Sequence, residues 1–468
     1  MPQKLRIALL VVVILAAAPA AAARATPRMP LGFYDDPSFR WAPAPAPTVN
    51  LLAAKKAHAS IIHVLADWSQ IAPTKPASPL SGNDPAYHLS DLDALVRTAS
   101  KYNLQVLLTI SETPKWANGG QSFNHPPTNV NTLTQFAHML ADRYNGKHPA
   151  YGSVSLYSVW NEPNLEQFLT PQFSGNTPVS PAEYVKLYLA AYKGIKAGNP
   201  KALVAAGETS NRGHNTPTPG SDSLAPATFA RLVSVAAPHL PFDAWATHPY
   251  PSIYALGPGQ KVSFPNVGLA TMTKFGDSLK QWFHHRVPIW ITEYAEQTKP
   301  EYPFGGVSHT KQAADVKLAL QMSAANPYVE MFIWFIFRDS TPKTWFSGLE
   351  TKSGAKKPAY AAFAAEAKQI VGQTQYLSPG KTFSVKLAVP FMFDHDQPGA
   401  FVGVTYRVYD GKRIVAIGQP RATIMSDETI TFIVKFSPTK DKSYSMTALV
   451  NDRHGQIEEH TVALVPAP

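Results

Sequence analysis

The interpretation of the stretch SLYSVWNEPNLEQF, residues 155–168, decides the predicted fold of this chain. Leu156, Ser158 and Trp160 alternate as residues of a β-strand do. The strand then stops at an Asn-Glu-Pro tripeptide, which sets the carboxylate of Glu162 between a bulky tryptophan and a proline. Asn and Pro commonly end strands, so in one interpretation Glu162 simply faces water. In the other, the strand end presents the carboxylate for chemistry, and the rest of the chain decides between the two.

Similar short apolar strands recur along the chain and alternate with helical patterns such as SDLDALVRTASKYN, residues 90–103. The candidate strands are 30–34, 60–68, 104–111, 154–160, 202–208, 243–250, 287–294 and 330–337. Buried parallel strands form near-continuous apolar runs, and eight of them, each followed by a helix, predict a (β/α)8 TIM barrel of the α/β class. We assign this barrel to residues 26–372. A doubly wound open sheet is the competing fold, but the chain has no Gly-rich phosphate loop.

The sequence pattern changes after residue 372. We predict a short linker at 373–380, and residues 381–468 then alternate apolar and polar residues at period two without an intervening helical pattern. Turn signals such as Asp410-Gly411 separate the runs. This pattern predicts a small all-β sandwich domain, for which we expect a scaffold or spacer role.

The first 25 residues have the features of a signal peptide. Lys4 and Arg6 form a basic start, an apolar run follows at 7–15, and small residues suited to cleavage come after it. The run is shorter than a membrane span needs, and no later segment is long and apolar enough for one. We therefore expect a secreted protein, extracellular or associated with the cell wall, with no stable membrane span. The alternative is an uncleaved N-terminal anchor.

Composition narrows the classes of function. The 468 residues include 0 Cys, which excludes disulfides and cysteine-ligated zinc or iron–sulfur sites. The formal net charge of +10 comes from scattered Lys and Arg rather than from a dense basic block, so we predict no nucleic-acid partner. The adjacent His284 and His285 are interpreted as polar residues at a helix end, and we predict neither a metal site nor a cofactor.

The ends of the predicted barrel strands carry residues with chemistry. In a (β/α)8 barrel the working residues sit at the carboxyl ends of the strands. Strand four ends in Glu162 and strand seven in Glu293, so two carboxylates are expected to meet at one mouth. Strand six ends in His248 and Tyr250, and Trp334 lies on strand eight. We therefore predict that Glu162 is one member of a catalytic pair.

These features resemble the clan A glycoside hydrolases, in which Asn-Glu-Pro follows strand four and a Glu ends strand seven. The resemblance covers roughly residues 30–372. It includes ADWSQIAP (66–73), TPKWANGG (113–120) and KKPAYAAF (356–363), which are similar to barrel members near families 5 and 39. It implies a retaining β-glycosidase that acts on an oligo- or polysaccharide, and a monomer is favoured.

The resemblance also implies roles for individual residues. Glu162 would be the acid/base and Glu293 the nucleophile, and the charge of an ionised nucleophile favours the acid form of its neighbour. Retention requires the two carboxyl groups to lie about 5–5.5 Å apart. The supporting residues would be Asn161 at the sugar 2-hydroxyl, Tyr250 as a donor to the nucleophile, His248 on the same wall, Trp334 as the sugar platform, and Trp68 and Trp116 as its extension.

Strand two departs from the pattern of that clan, whose members carry an Arg there in support of the nucleophile. The stretch SIIHVLADW (60–68) has His63 at this position. In one hypothesis, a protonated His63 lies beside Glu293 with a raised pKa, and activity falls as pH rises through that value. In the other, His63 is neutral and packed inside the barrel. Arg40 and Arg338 are the alternative sources of the missing cation.

Two other functions share these residues. A barrel that had lost catalysis would bind glycan through its aromatic side chains, and the presence of His63 slightly favours this function. A transglycosylase would use the same carboxylates but would transfer the glycosyl group to a sugar instead of water. Product analysis with and without an added acceptor separates all three functions.

Overall fold

A computed structural model describes most of the chain. The described residues are 29–42, 45–102, 104–148, 150–339, 345–370, 373–377, 382–389, 398–426, 429–440, 442–452 and 457–466. The predicted signal peptide at 1–25 lies outside them, so it stays a prediction.

Eight parallel strands close into a barrel, which confirms the predicted (β/α)8 fold. The strands are β1 (Leu31–Tyr34), β2 (Ile61–Asp67), β3 (Gln105–Ser111), β4 (Leu156–Val159), β5 (Leu203–Ser210), β6 (Ala244–His248), β7 (Ile289–Tyr294) and β8 (Val329–Phe335). β1 pairs with both β2 and β8, so the barrel has no free edge. The carboxyl ends of the strands consequently converge on one face.

Helices follow the strands and cover the barrel. They are α1 (Pro47–Lys56), α2 (Trp68–Ile71), α3 (Ser90–Lys101), α4 (Asn131–Arg143), α5 (Ser180–Gly198), α6 (Pro226–Ala236), α7 (Met272–Phe283), α8 (His309–Ala325) and α9 (Pro358–Ile370). Shorter elements are a π-helix at Pro37–Trp41, 3-10 turns at Tyr254–Leu256 and Leu269–Thr271, and a hairpin of Phe173–Ser174 with Thr177–Pro178. Among the described residues, no helix combines the length and hydropathy that crossing a bilayer requires.

The barrel interior is built in layers, because residues two apart on a strand face the same side. An apolar layer is formed by Ile61, Leu107, Leu156, Ala246 and Trp290. Two residues further along the same five strands, a polar layer is formed by His63, Thr109, Ser158, His248 and Thr292. All ten residues are buried. The polar layer lies directly beneath the mouth and therefore forms the floor of any site there.

The C-terminal part contains only strands among its described residues. They are β9 (Gln373–Leu377), β10 (Phe383–Ala388), β11 (Phe401–Asp410), β12 (Arg413–Gly418), β13 (Arg421–Thr423), β14 (Thr429–Val434), β15 (Tyr444–Asn451) and β16 (Ile457–Pro466). One sheet has the order β9-β16-β15-β11-β12 with β13 beside β11, and β10 pairs with β14. Residues from both sheets share one apolar core, in which Tyr406 stacks on Phe432. This arrangement agrees with the predicted β-sandwich.

The predicted linker at 373–380 is partly a strand. Gln373–Leu377 pairs in parallel with β16, and Leu377 is buried in the apolar core of the sandwich. Main-chain hydrogen bonds make this pairing, so the polar sequence of the segment does not prevent it, and the apolar pattern failed to reveal it. The exact domain boundaries remain a prediction.

Candidate active site

A cavity of about 740 Å³ opens at the carboxyl ends of the strands. Four of the predicted site residues line it, namely Asn161, Glu162, Tyr250 and Glu293. Other lining residues, which the sequence analysis did not select, include Tyr34, Gln167, Asn211, Arg212, Gln297, Phe335 and Trp345. Its size is typical of a site for a small ligand.

The turn after β4 answers the question raised by the Asn-Glu-Pro tripeptide. Trp160 and Glu162 have φ angles of 70° and 39°, in the left-handed region that L-residues seldom adopt. The indole of Trp160 donates to the carbonyl of Phe168 at 2.7 Å, and the Glu162 amide donates to the carbonyl of Glu208 at 2.9 Å. These bonds turn the Glu162 carboxylate into the cavity instead of outward, and its side chain is only 15% exposed.

Glu293, near the end of β7, is the second carboxylate of the cavity. The Tyr250 hydroxyl donates to its Oε2 at 2.8 Å. Burial raises the pKa of Glu293 to about 7, and the charges of Glu162 and Glu208 act in the same direction. The charge of His248 and the Tyr250 hydrogen bond oppose this rise. Glu293 therefore ionises only as pH approaches the neutral range.

The imidazole ring of His248 contacts both carboxylates of the cavity. Its Nδ1 lies 3.0 Å from Oε1 of Glu162 and 3.6 Å from Oε2 of Glu293. These two oxygens are therefore no farther apart than the sum of those distances. Burial alone would lower the pKa of His248, but Glu293, Glu162 and Glu208 together hold it well above its usual value. His248 is fully buried, so it supports the wall that it was predicted to line.

Glu208 on β5 is a third carboxylate, and sequence reasoning missed it. Its Oε2 accepts hydrogen bonds from His248 Nε2 at 2.7 Å and from the Thr292 hydroxyl at 2.6 Å. Burial opposes its ionisation, yet its hydrogen bond and charge interaction with His248, with a contribution from the Ser158 hydroxyl, keep its pKa below the usual value. The one available signal was an acidic residue at the end of an otherwise apolar strand.

An irregularity of β5 places Glu208 in the interior. The pairing of β5 with β6 shifts register between Ala206 and Thr209. Gly207 has a φ of 102°, and a Cβ there would come within 2.6 Å of the Ala246 carbonyl oxygen. Only glycine fits this position, and the bulge that it allows redirects the following carboxylate toward His248.

The structure contradicts the hypothesis of a protonated His63 beside the nucleophile. His63 Nδ1 faces the carbonyl of Thr292 at 3.1 Å and Nε2 faces the hydroxyl of Thr109 at 2.6 Å. Its ring packs on Tyr34 with centroids 4.1 Å apart. Burial lowers the pKa of His63 to about 4, so it is neutral at neutral pH. A carbonyl can only accept, which places the proton of the neutral ring on Nδ1.

Arg40 and Arg338 do not supply the missing cation either. Arg40 binds Asp36 and Asp91, with nitrogen–oxygen distances of 2.7 Å to each. Arg338 binds Glu350 at 2.6 Å. Both guanidinium groups are thus engaged away from the carboxylate pair.

The predicted sugar platform Trp334 lies outside the cavity. On β8 the side chains of Met331 and Ile333 point into the barrel, so Trp334 points outward, where it is fully buried and donates to the Ser347 carbonyl at 2.9 Å. Phe335 takes the inward position instead. Because the segment is apolar on both faces, its sequence does not show which of its residues point into the barrel.

A different indole, that of Trp345, lies in the cavity lining. It follows β8 in the chain, lines the cavity and stacks on Tyr250 at a centroid distance of 5.9 Å and an angle of 18°. It also meets Phe335 edge-on at 5.6 Å. The cavity therefore has a continuous aromatic wall.

Trp68 and Trp116 also lie outside the cavity lining. Trp68 is buried and stacks on Phe136 at 5.5 Å. Trp116 contacts Trp68 edge-on at 5.7 Å and donates to the Ala72 carbonyl at 2.8 Å. Both tryptophans belong to the packing between the barrel and its helices.

Within the described ranges, no group of three or more His, Asp or Glu side chains is arranged to hold a metal ion. The three carboxylates around His248 are held instead by ring nitrogens and hydroxyl groups. The arrangement can hold one proton between two carboxyl groups and stabilise the remaining negative charge.

Comparison with known families gives one match. The family model described as cellulase, glycosyl hydrolase family 5, matches residues 37–337. This range holds all the residues of the carboxylate pair and its supports. No curated protein sequence matches the chain.

Solved structures share the fold at low sequence identity. The chain is similar to a glucosidase from Croceicoccus marinus, with a TM-score of 0.56 and 11% identity over 92% of this chain and 96% of that one. A family 39 glycoside hydrolase from Bacteroides cellulosilyticus has a TM-score of 0.52 and 15% identity, over 87% and 81%. GH5_18 from Streptomyces cattleya, solved with GlcNAc, has a TM-score of 0.51 and 18% identity, and the match covers 74% of this chain and 80% of that one. At these identities the likeness concerns the fold alone.

Proposed function

Because this chain belongs to the cellulase family, glycosyl hydrolase family 5, and is thus a glycoside hydrolase, we propose that it cleaves its substrate with retention of configuration. The proposed substrate is a β-linked oligo- or polysaccharide. Glu293 is the nucleophile and Glu162 is the acid/base.

One observation carries this proposal: both carboxylates contact the same nitrogen of His248 at the mouth of the barrel. Retaining enzymes hold their carboxyl groups about 5–5.5 Å apart, whereas inverting enzymes need about 6.5–9.5 Å to admit a water. The two contacts with His248 set an upper limit on the distance between these oxygens. That upper limit lies at the lower end of the inverting range. The geometry therefore favours retention.

The assignment of roles follows from the hydrogen bonds. Tyr250 donates to Glu293, which stabilises the ionised form that a nucleophile needs. Glu293 attacks the anomeric carbon while Glu162 gives its proton to the leaving oxygen. The glycosyl–Glu293 ester then carries no charge, and Glu162, now ionised, takes a proton from the water that cleaves the ester. Asn161 lines the cavity beside Glu162 and is placed to bind the sugar 2-hydroxyl.

Azide rescue tests these roles. Glu293→Ala should abolish turnover of an aryl β-glycoside, and azide should restore it with an inverted glycosyl azide as product, because azide replaces the nucleophile. Glu162→Ala should still form the glycosyl-enzyme from substrates with good leaving groups, and azide should give the retained product. If the two variants exchange these products, the assignment of roles is wrong.

Substrate class and location need separate tests. A panel of aryl β-glycosides and common polysaccharides would define the sugar, and product analysis with an added acceptor would detect transglycosylation. We also propose that the protein is secreted, which the basic and apolar start of the chain supports. N-terminal sequencing of protein recovered outside the cell should then begin close to residue 26, and an intact N-terminus on cell-bound protein would indicate an uncleaved anchor instead of a secreted protein.

A further inference from the structure

The strand on which the resemblance expects a cation does not supply one to the active site. On β2 the neutral His63 replaces the expected Arg, and Arg40 and Arg338 are engaged by other carboxylates. Arg212 lies on an exposed loop of the cavity wall. The basic side chain that contacts both carboxylates of the pair is His248.

We propose that Glu208 is a positioning residue that keeps His248 doubly protonated, so that His248 acts as the fixed cation of the active site. The part of this proposal that concerns catalysis rests on the proposed function. The part that concerns the charge of His248 does not, because the protonation of a ring is measured without substrate.

The hydrogen bonds of His248 point to this state. Its Nε2 lies 2.7 Å from an oxygen of Glu208, and its Nδ1 lies 3.0 Å from an oxygen of Glu162. An ionised Glu208 only accepts, which places a proton on Nε2, and the double-bonded oxygen of a protonated Glu162 can accept a hydrogen bond from a second proton on Nδ1. Only the imidazolium form has a proton on each nitrogen. Because Thr292 already donates to the same oxygen of Glu208, that oxygen is saturated with donors and is suited to remain ionised.

Within the described part of the chain, three carboxylates face the His248 ring, and the Tyr250 ring meets it edge-on. Glu162 faces it from the end of β4, Glu208 from β5 and Glu293 from β7. From β2, His63 contributes a neutral ring. His248 and Glu208 are both fully buried, so either charge alone would carry a large desolvation cost, whereas the pair is neutral as a unit.

A fixed cation at this position suits both halves of the proposed reaction. The carboxylate pair carries one negative charge, on Glu293 before attack and on Glu162 once Glu293 is esterified. His248 Nδ1 lies within 3.6 Å of an oxygen of each. The cation therefore stays beside the negative charge when it moves, and Glu208 prevents the ring from losing its proton when Glu293 becomes neutral.

The first test measures the charge of His248 directly. Protein labelled with ¹⁵N-histidine is titrated by NMR without substrate, and His248 is assigned from the spectrum of His248→Gln. The wild-type ring should remain imidazolium well above pH 6.5, where a free histidine loses its proton. In Glu208→Gln, which keeps the shape and an acceptor oxygen but removes the charge, titration should move down by about one to three pH units. An unchanged titration would overturn the proposal.

The second test measures the pH dependence of kcat/KM on an aryl β-glycoside. In Glu208→Gln the alkaline limb should move to lower pH, because the rate is lost once His248 becomes neutral. A merely structural role for Glu208 would reduce the amount of active enzyme equally at all pH values and leave the limb in place. Superimposable alkaline limbs would contradict the catalytic part of the proposal.

Two further variants complete the design. Glu330→Gln removes another buried carboxylate, which pairs with Arg286 at the opposite end of the barrel, and should leave the alkaline limb unchanged. Thr292→Val removes one donor to Glu208 but keeps the charge of Glu208 and the shape of the side chain, so the limb should not move to lower pH. If Glu208→Gln does not fold, the ¹⁵N titration of the wild-type protein carries the test, and a His248 ring that loses its proton at or below pH 6.5 would overturn the proposal.

Discussion

The apolar and polar layers of the barrel interior lie two residues apart on the same strands, yet they do different work. In the apolar layer, Leu156 and Trp290 pack against neighbours across the barrel. In the polar layer, Ser158 and Thr292 use hydroxyl groups to bind Thr109 and Glu208, respectively. The same strands therefore stabilise the barrel through apolar packing at one level and position polar groups beneath the cavity two residues further along.

The two layers also differ in how they contribute to stability. Burial of apolar side chains is favourable in proportion to the area removed from water. Buried polar groups gain little over their bonds with water, but they are costly when a partner is missing. We therefore expect substitutions in the apolar layer to change unfolding and substitutions in the polar layer to change pH dependence.

The largest effect on stability is expected in the apolar layer. Leu156→Ala should lower the free energy of unfolding by about 2–5 kcal/mol, because it leaves a cavity in a closed packing. Its kcat at low temperature should equal that of the wild type. All nine tryptophans lie between residues 41 and 345, so tryptophan fluorescence in denaturant reports unfolding of the barrel alone.

Ser158→Ala is the matched variant, since it lies on the same strand one layer up. It should cost only about 0.5–1.5 kcal/mol of stability. It should also raise the pKa of Glu208, because the Ser158 hydroxyl helps to lower it. Equal losses of stability in the two variants would break the distinction between the layers.

The barrel and the carboxylate pair could be predicted from the sequence because both follow from the order of the strands and from the residues at the strand ends. Strand ends point to one face in any (β/α)8 barrel, so Glu162 and Glu293 could be placed without coordinates. The position of Trp334 could not be predicted, because a strand buried on both faces has no period. Glu208 was missed because the bulge at Gly207 changes which side of the strand it faces.

The second prediction concerns acid stability and uses the polar layer. The pKa of His63 is about 4 in the folded barrel, below the value near 6.5 expected on unfolding. The unfolded chain thus binds a proton first, and stability falls as pH drops from about 6.5 toward 4, by about 3 kcal/mol in total. His63→Gln lacks this contribution.

The measurement is denaturant unfolding of both proteins at several pH values. The advantage of the wild type over His63→Gln should shrink by about 3 kcal/mol between pH 7 and pH 4. Only the difference between the proteins is compared, so other acidic groups cancel. A constant difference would show that His63 is not held neutral by burial.

The third prediction tests the hydrogen bond between Tyr250 and Glu293. Tyr250→Phe keeps the ring that stacks on Trp345 but removes a bond to a charged group, worth about 1.5–3 kcal/mol. We expect kcat/KM to fall about 10- to 100-fold. Because this bond lowers the pKa of Glu293, the acid limb should move to higher pH, while stability stays close to that of the wild type. An acid limb that moves to lower pH would contradict the assigned direction.

The smallest effect is expected for substitutions of two tryptophans, one that lines the cavity and one that packs outside it. Trp345 lines the cavity, whereas Trp116, which the sequence suggested as a platform, does not. Trp345→Ala should raise KM about 2- to 10-fold, since a lost aromatic stacking partner is worth about 0.5–1.5 kcal/mol. Trp116→Ala should leave KM unchanged and lower the unfolding midpoint, because it removes contacts with Trp68 and Ala72. If KM instead rises in Trp116→Ala and not in Trp345→Ala, the substrate binds along β2 and β3, and the aromatic wall formed by Tyr250 and Trp345 is not the sugar platform.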